Sequence, residues 1–171
     1  EEVIGLIGLM DIPSEHAKET IDYFKNLGIH TTLITGDSEM TGKAVAKQLG
    51  IDEVIANVMP EDKSRIIDEQ KEKYGVTAMV GDGVNDAPAL VNADVGIAMG
   101  DGTDVAVEVS DLVLMQNNLS KLVQSHNISS KMNRVIWQNI IFSMAVVAFL
   151  IVVSFLGLTD IAISVIIHEG S

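Results

Sequence analysis

The sequence contains no cysteine among its 171 residues, which excludes both a disulfide framework and a thiolate metal site within it. Basic residues are also scarce, with 11 Lys and Arg against 24 Asp and Glu and a formal net charge of −13. Only Asp160 and Glu169 of these acids lie beyond residue 134, so residues 1–134 hold 22 acids and all 11 bases, a net charge of −11. An acidic surface of this kind repels the phosphates of nucleic acids, and we expect no nucleic-acid partner.

Charge is missing altogether from the 25 residues between Val135 and Thr159, which are mainly Ile, Val, Leu, Phe and Ala. As a helix this run would be roughly 37 Å long at ~1.5 Å per residue, enough to cross a hydrocarbon core of ~30 Å. Its position near the C-terminus argues against a signal peptide. A buried core helix is the alternative, but such helices rarely run so far without a charge, and we expect a transmembrane helix over residues 135–156.

Before this run, short apolar stretches alternate with segments of helical spacing. Strands are predicted for Val3–Met10, Ile29–Thr35, Val54–Val58, Val76–Val80, Val95–Met99 and Asp111–Met115. Helices are predicted from Pro13 to Gly28, from Asp37 through Leu49, and over Pro60–Tyr74, Asp86–Asn92 and Thr103–Val109. Strands separated by helices of this length indicate a parallel sheet with helices on both faces.

Polar residues gather directly after the predicted strands: Asp11, the triplet Thr35–Asp37, and Gly81–Gly83 with Asn85 and Asp86. Ligands of open α/β sheets bind beyond the carboxyl ends of the strands, so we expect these loops to meet at one site. Asp82 and Asp86 supply the carboxylate oxygens that Mg²⁺ prefers, and Asn85 can donate hydrogen bonds to a phosphate. The alternative is a plain Asp-Gly turn, with Asp86 as the N-cap of the next helix.

The triplet Thr35–Asp37 offers a hydroxyl group and backbone N–H groups that suit phosphate oxygens. Its alternative is a helix N-cap at Asp37 or Ser38. Lys63 lies in the first turn of a predicted helix, where the helix dipole disfavours a cation, so a nearby anion is expected unless the side chain is simply solvated.

The motifs that contain these residues resemble those of a known protein family. Thr35–Asp37, Pro60–Lys63, Met79–Leu90 and Ala93–Gly100 resemble P-type ATPases, members of the haloacid dehalogenase superfamily, and the helix with Gln138-Asn139 continues the match. The resemblance implies an ATP-driven ion pump with an aspartyl-phosphate intermediate, Mg²⁺ as cofactor and ATP as substrate. It also implies a Rossmann-like α/β fold with a parallel sheet, followed by transmembrane α-helices.

The resemblance further implies a role for each motif residue. Asp82 and Asp86 would serve the Mg²⁺ site, Lys63 would neutralise the transferring phosphoryl group, and Thr35 would bond a phosphate oxygen. Asp37 and Asn85 would order the surrounding loops. Gly36 would belong to the same catalytic loop as Thr35 and Asp37. These roles suit a reaction that depends mainly on positioning and charge neutralisation.

The family's phosphorylated aspartate lies in an Asp-Lys-Thr-Gly-Thr motif that this sequence lacks, so the strand of the nucleophile is expected to be missing and the sheet incomplete. We therefore expect the C-terminal part of a longer pump, with no nucleophile of its own for covalent phosphoryl transfer. The expected segments are part of the phosphorylation domain at 1–118, a connecting helix at 119–134, the transmembrane helix, and the start of a second one at 160–171.

Lys131 and Arg134 precede the apolar run, which favours a cytoplasmic start and places residues 1–134 in the cytoplasm. The family resemblance implies a multi-pass protein of a bacterial plasma membrane. After a turn at Gly157–Asp160, His168 and Glu169 would lie ~12–14 Å back along a returning helix, near the middle of the bilayer. Imidazole with carboxylate suits a borderline divalent transition metal. The alternative for this pair is a membrane edge.

His168-Glu169-Gly170 also resembles a motif in the last membrane helices of heavy-metal pumps, in the branch linked with cobalt, ferrous iron and zinc. The sequence therefore predicts part of a divalent heavy-metal exporter, whose partners are the transported ion, the lipid bilayer and the rest of the same polypeptide. Two alternatives stay open. One is a haloacid dehalogenase-type phosphatase, and the other is a membrane-tethered module that binds Mg²⁺ and phosphate without catalysis.

Overall fold

The structure is a computed structural model that describes residues 13–100, 102–115 and 118–157. The chain divides into two compact units, residues 1–123 and 124–171. The predicted strand Val3–Met10, the polar residue Asp11 and the predicted second membrane helix at 160–171 lie outside the described residues.

The first half of unit 1 contains a pair of parallel strands. Its elements are α1 (Ala17–Asn26), β1 (Thr32–Ile34), α2 (Glu39–Leu49) and β2 (Glu53–Ile55). Leu33 lies opposite Val54 in the parallel pairing. The strand β1 begins three residues later than predicted, because the Thr31 N–H donates to the Asp52 carboxylate at 3.0 Å.

The second half of unit 1 forms a three-stranded parallel sheet in the order β3-β4-β5. Its elements are α3 (Lys63–Tyr74), β3 (Ala78–Gly81), α4 (Ala87–Asn92), β4 (Val95–Met99), α5 (Asp104–Val109) and β5 (Leu112–Leu114). Short 3-10 turns, Pro60–Asp62 and Val84–Asp86, lead into α3 and α4. Proline at the start of a helical segment is favoured because its missing N–H would be unpaired there in any case.

The core of the second sheet is formed by Leu90, Ala98 and Ala106, which are at most 1% exposed. Ala98 belongs to β4, the central strand, whose apolar run is what burial between neighbouring strands requires. The predicted parallel α/β class is confirmed. The strands nevertheless form two separate hydrogen-bonded groups in the described residues, where the sequence suggested a single sheet.

A single 36-residue helix, α6 (Ser120–Phe155), continues from the expected connecting segment into the uncharged run as far as Phe155. It is the one helix of the described residues that is long and apolar enough to cross a membrane. Large apolar side chains along it, such as Trp137 and Phe149, are exposed. Gly157 follows with φ +67°, a left-handed conformation that commonly ends a helix.

Candidate active site

A lysine and an aspartate from separate parts of the chain form an ion pair beside the carboxyl end of β3. Lys63 Nζ, at the start of α3, donates to Asp86 Oδ1 at 2.5 Å. The side chains are 18% and 11% exposed, so both charges are largely withdrawn from water. The sequence analysis expected an anion near Lys63, and the structure places the Asp86 carboxylate there.

The second oxygen of the Asp86 carboxylate organises the loop after β3. Asp86 Oδ2 accepts the backbone N–H groups of Asp82 and Gly83, each at 3.3 Å. Asp86 does occupy the N-cap position of α4, but its side chain makes no capping bond to that helix and points back to the loop instead. Both oxygens of Asp86 are thus engaged within the chain.

Gly81 is needed for space and not for an unusual backbone angle. A Cβ atom on Gly81 would lie 2.7 Å from the Asp86 Cβ, so any side chain would push Asp86 away from the loop. Conformational freedom does not explain the glycines of this motif, because neither Gly81 nor Gly83 adopts positive φ. The requirement is a close approach of backbone to carboxylate.

The Asp82 side chain is exposed, and it makes no hydrogen bond within residues 13–100, 102–115 and 118–157. Its main chain is held firmly, because its carbonyl accepts the Thr103 N–H at 2.9 Å. A Cβ on Gly102 would lie 2.9 Å from the same carbonyl oxygen, so the turn after β4 packs closely against the Asp82 main chain. The sequence analysis missed this contact; the glycines at 100 and 102 after a buried strand were the available signal.

The Thr35–Asp37 loop follows β1 and is braced by the segment after β2. Asn57 N–H donates to the Asp37 carbonyl at 2.8 Å, and Val58 N–H donates to the Thr35 carbonyl at 3.1 Å. Asn57 makes this possible with a φ of +54°, a left-handed conformation that asparagine tolerates better than most residues.

The Thr35 hydroxyl oxygen accepts the Asp37 N–H at 3.1 Å, which leaves its own hydrogen available to donate. Ser38, and not Asp37, is the N-cap of α2, because its side chain accepts the Thr41 N–H. The helix-cap alternative therefore applies to Ser38 and leaves Asp37 uninvolved in capping.

The structure thus brings Lys63, Asp82 and Asp86 together by direct contacts. The Thr35–Asp37 loop is joined to them indirectly, since it is bonded to residues 57 and 58, a few residues before Lys63. No hydrogen bond between that loop and residues 82–86 occurs in the described parts of the chain. Asn85 lies exposed in the intervening 3-10 turn.

The residues present fit a magnesium ion that is shared with a phosphate. Mg²⁺ binds through one or two carboxylates and completes its shell with phosphate oxygens and water. Asp82 offers an exposed carboxylate on a fixed backbone, beside an ammonium group that a phosphate would also attract. Among the described residues no three His, Asp or Glu side chains converge on a metal position, which excludes an all-protein cage there. His168 and Glu169 lie outside the described residues.

A family model described as haloacid dehalogenase-like hydrolase matches residues 1–94, more than half of the chain. The chain belongs to this family. The relatives of the chain define a narrower class within this family, because they include several heavy-metal P-type ATPases. The resemblance inferred from the sequence motifs is thereby confirmed.

Three of these similarities define the match. The chain is 50% identical over all 171 residues to a zinc-transporting ATPase of Bacillus subtilis, of which it covers 27%. It is 45% identical over 81% of its length to a copper-exporting P-type ATPase of Staphylococcus haemolyticus, of which it covers 18%. A crystal structure of a zinc-transporting PIB-type ATPase in the E2.Pi state matches 94% of this chain and 26% of its own, with TM-score 0.88 and 36% identity. The chain spans about a quarter or less of these relatives.

Proposed function

We propose that this chain is part of an ATP-driven exporter of divalent heavy-metal cations that works through an aspartyl-phosphate intermediate. The chain would contribute the magnesium and phosphate site and part of the membrane metal site. The nucleophilic aspartate and the nucleotide-binding domain would come from other parts of the same polypeptide, since the sequence contains no Asp-Lys-Thr-Gly-Thr motif.

One observation carries this proposal: a phosphoryl-type site and a helix suited to a membrane occur in the same chain. The Lys63–Asp86 pair lies beside an exposed Asp82 in unit 1, while α6 continues for 36 residues through the uncharged run. The match to a zinc-transporting pump structure covers 94% of this chain. This coverage supports the proposal that the site and the helix belong to one ion pump.

In the proposed site Asp82 is the direct magnesium ligand. The sequence analysis placed Asp86 in the same metal site, and its two oxygens, which accept from Lys63 and from backbone N–H groups, keep further lone pairs for the metal shell. We assign Asp86 the task of holding Lys63 and the Asp82 loop in place. When bound at Asp82, magnesium would supply charge neutralisation for the phosphoryl oxygens.

The remaining site residues would bind and orient the phosphoryl group. Lys63 contributes a cation whose position is fixed by Asp86, so little reorganisation is needed when negative charge develops. The Thr35 hydroxyl has a hydrogen free to donate to a phosphate oxygen. Gly36 and Asp37 shape that loop through the bond to Asn57, and Asn85 would orient the opposite loop from its exposed turn.

For the exported ion we propose a borderline divalent metal, with zinc to be tested first and cobalt and ferrous iron next. Identity to the zinc-transporting relative extends over the whole chain, whereas identity to the copper-exporting relative extends over 81% of it. His168 and Glu169 offer a nitrogen and an oxygen ligand, which suit such an ion better than Na⁺ or K⁺. The protein would be multi-pass, with residues 1–134 in the cytoplasm.

The proposal is tested with the full-length protein in detergent or vesicles. ATP hydrolysis is measured with Mg²⁺ present while Zn²⁺, Co²⁺, Fe²⁺ and Cu⁺ are added in turn. We expect hydrolysis to rise with at least one of the divalent ions and to be blocked by orthovanadate, a phosphate mimic. Hydrolysis that ignores all four ions would overturn the proposal.

The same experiment separates the two alternatives. A haloacid dehalogenase-type phosphatase would cleave simple phosphate esters without need of a transported metal, and it gives no role to the apolar helix α6. A non-catalytic membrane-tethered module would bind Mg²⁺ and phosphate but hydrolyse nothing.

A further inference from the structure

The short helix α4 is attached to α3 at both of its ends. Directly before α4, Asp86 accepts from Lys63 at the start of α3. At its other end Asn92, the last residue of α4, donates from Nδ2 to the Ser64 carbonyl at 2.9 Å and to Asp68 Oδ1 at 2.8 Å.

The attachment at Asn92 reaches the residue next to the phosphoryl-site lysine. Ser64 directly follows Lys63, so the Asn92 amide bonds the first turn of the helix from which Lys63 extends. The Asn92 carbonyl in turn accepts from Lys71 Nζ at 3.0 Å, near the other end of α3. Asn92 therefore contacts α3 over two turns.

Two attachments constrain more than one does. The six residues of α4 span about 9 Å, and Leu90 within the helix packs in the core with Ala98 of β4. The bonds of Asn92 add to this packing and help to fix how Asp86 faces Lys63. Displacements of about 1 Å at a phosphoryl-binding cation are enough to weaken binding and turnover substantially.

We propose that Asn92 is a positioning residue that keeps the Lys63 ammonium aligned in the phosphoryl site by anchoring α4 to the first turn of α3. The inference rests on the proposed function. Asn92 does not touch the phosphate, and it acts through the Lys63–Asp86 pair.

The test uses the full-length protein and orthovanadate as the probe. In Asn92→Ala we expect the vanadate concentration for half-inhibition to rise about fivefold. A change of this size corresponds to the net contribution of roughly one hydrogen bond. Asn92→Asp keeps the size of the side chain but sets a carboxylate against Asp68, and it should show at least the same rise.

A matched control separates positioning from general stability. Thr32→Val removes another side-chain hydrogen bond to α3, the 3.1 Å bond from the Thr32 hydroxyl to Gln70 Oε1, which attaches the helix to β1. We expect it to lower the melting temperature about as much as Asn92→Ala while leaving the vanadate response unchanged. An equal change in the vanadate response of both variants would reduce Asn92 to a structural role and overturn the inference.

A double-mutant cycle tests the route of the effect. If Asn92 acts through Lys63, then Asn92→Ala should add a smaller loss of vanadate sensitivity in a Lys63→Arg background, which keeps a cation but alters its alignment, although it still lowers the melting temperature. An undiminished further loss there overturns the inference. Should Asn92→Ala fail to fold, Asp68→Ala, which removes one of the two acceptors, should give a smaller shift in the same direction.

The outcomes also distinguish this inference from the proposed function. If the unsubstituted protein hydrolyses ATP in a metal-stimulated, vanadate-sensitive way and Asn92→Ala matches it, only the role of Asn92 is overturned. If the unsubstituted protein shows no vanadate-sensitive hydrolysis, the proposed function fails and this inference fails with it.

Discussion

Lys63 Nζ lies 2.5 Å from Asp86 Oδ1, and 23 residues of sequence separate the two side chains. The bond connects the first turn of α3 with the loop that carries Asp82. Because both groups are nearly buried, each depends on the other for the interactions that water would otherwise provide. This pair therefore sets both the stability of the site and the position of its cation.

Removing the cation should destabilise the domain. We predict that Lys63→Ala lowers the free energy of unfolding by about 1–3 kcal/mol, because Asp86 is left almost buried without its charged partner. Thermal unfolding followed by circular dichroism measures the change. Lys43→Ala is the control, since its pair with Glu39 is 67% and 65% exposed and is screened by water, so its loss should leave the stability nearly unchanged. Equal losses in the two variants would contradict the prediction.

The two aspartates of the loop should separate activity from stability. Asp82→Asn should block phosphoenzyme formation and weaken the Mg²⁺ dependence at least about tenfold, because the metal loses its charged ligand. Its melting temperature should hardly change, because the Asp82 carboxylate makes no hydrogen bond within the described residues. Asp86→Asn should lower both activity and melting temperature. Normal phosphorylation of Asp82→Asn, measured with labelled ATP, would refute the assignment.

Acid should weaken the first strand pair through Asp52. The Lys25 ammonium, 2.7 Å away, and then the Thr31 hydroxyl and N–H lower the pKa of Asp52 from its ordinary 3.8 to about 2. A carboxyl group with a depressed pKa stabilises the fold above its unfolded pKa, and this stabilisation is lost as the pH falls from about 4 to about 2.

We therefore predict that Asp52→Asn is less stable at neutral pH by about 1 kcal/mol, a modest value because the ion pair is partly exposed to solvent. The difference from the unsubstituted protein should shrink as the pH falls from about 4 to about 2 and vanish below pH 2, in unfolding curves measured at each pH. A difference that stays constant across this range would argue against the Asp52 contribution.

The membrane metal ligands can be tested apart from the phosphoryl site. His168→Ala should abolish the metal stimulation of ATP hydrolysis and spare phosphorylation by inorganic phosphate in the absence of metal. His16→Ala serves as the control, since His16 lies before α1 and faces Glu19 at 3.5 Å. Metal stimulation that survives in His168→Ala would place the transport site elsewhere.

Much of the fold was predictable because local sequence patterns indicate where its strands and helices lie. The alternation of apolar runs and helical spacing gave the order of strands and helices, and glycine and proline marked several ends correctly, as at Gly50 and Pro60. Strand lengths were predicted less well. The strand β1 is short because the Asp52 side chain replaces a strand partner for Thr31, and a contact over 21 residues has no local signal.

The site was predictable in its residues more than in its contacts. The motif pattern singled out Lys63, Asp82 and Asp86, but it treated the two aspartates as equivalent. They differ because Asp86 folds back onto the loop through the space at Gly81, while Asp82 faces solvent. Only the three-dimensional arrangement of α3 and α4 reveals that Asn92 joins them, because its partners lie 24 to 28 residues earlier in the sequence.

The strands β1 and β3 have a practical consequence for anyone preparing this domain. Within the described residues each of them, like β2 and β5, bonds to one neighbouring strand, and the row of main-chain groups on its other side makes no strand pairing among those residues. Such rows recruit extended segments from other molecules. A preparation in which these rows of main-chain groups stay uncovered should therefore self-associate into β-rich aggregates, and short charged or proline-containing peptides that cover them should keep it in solution.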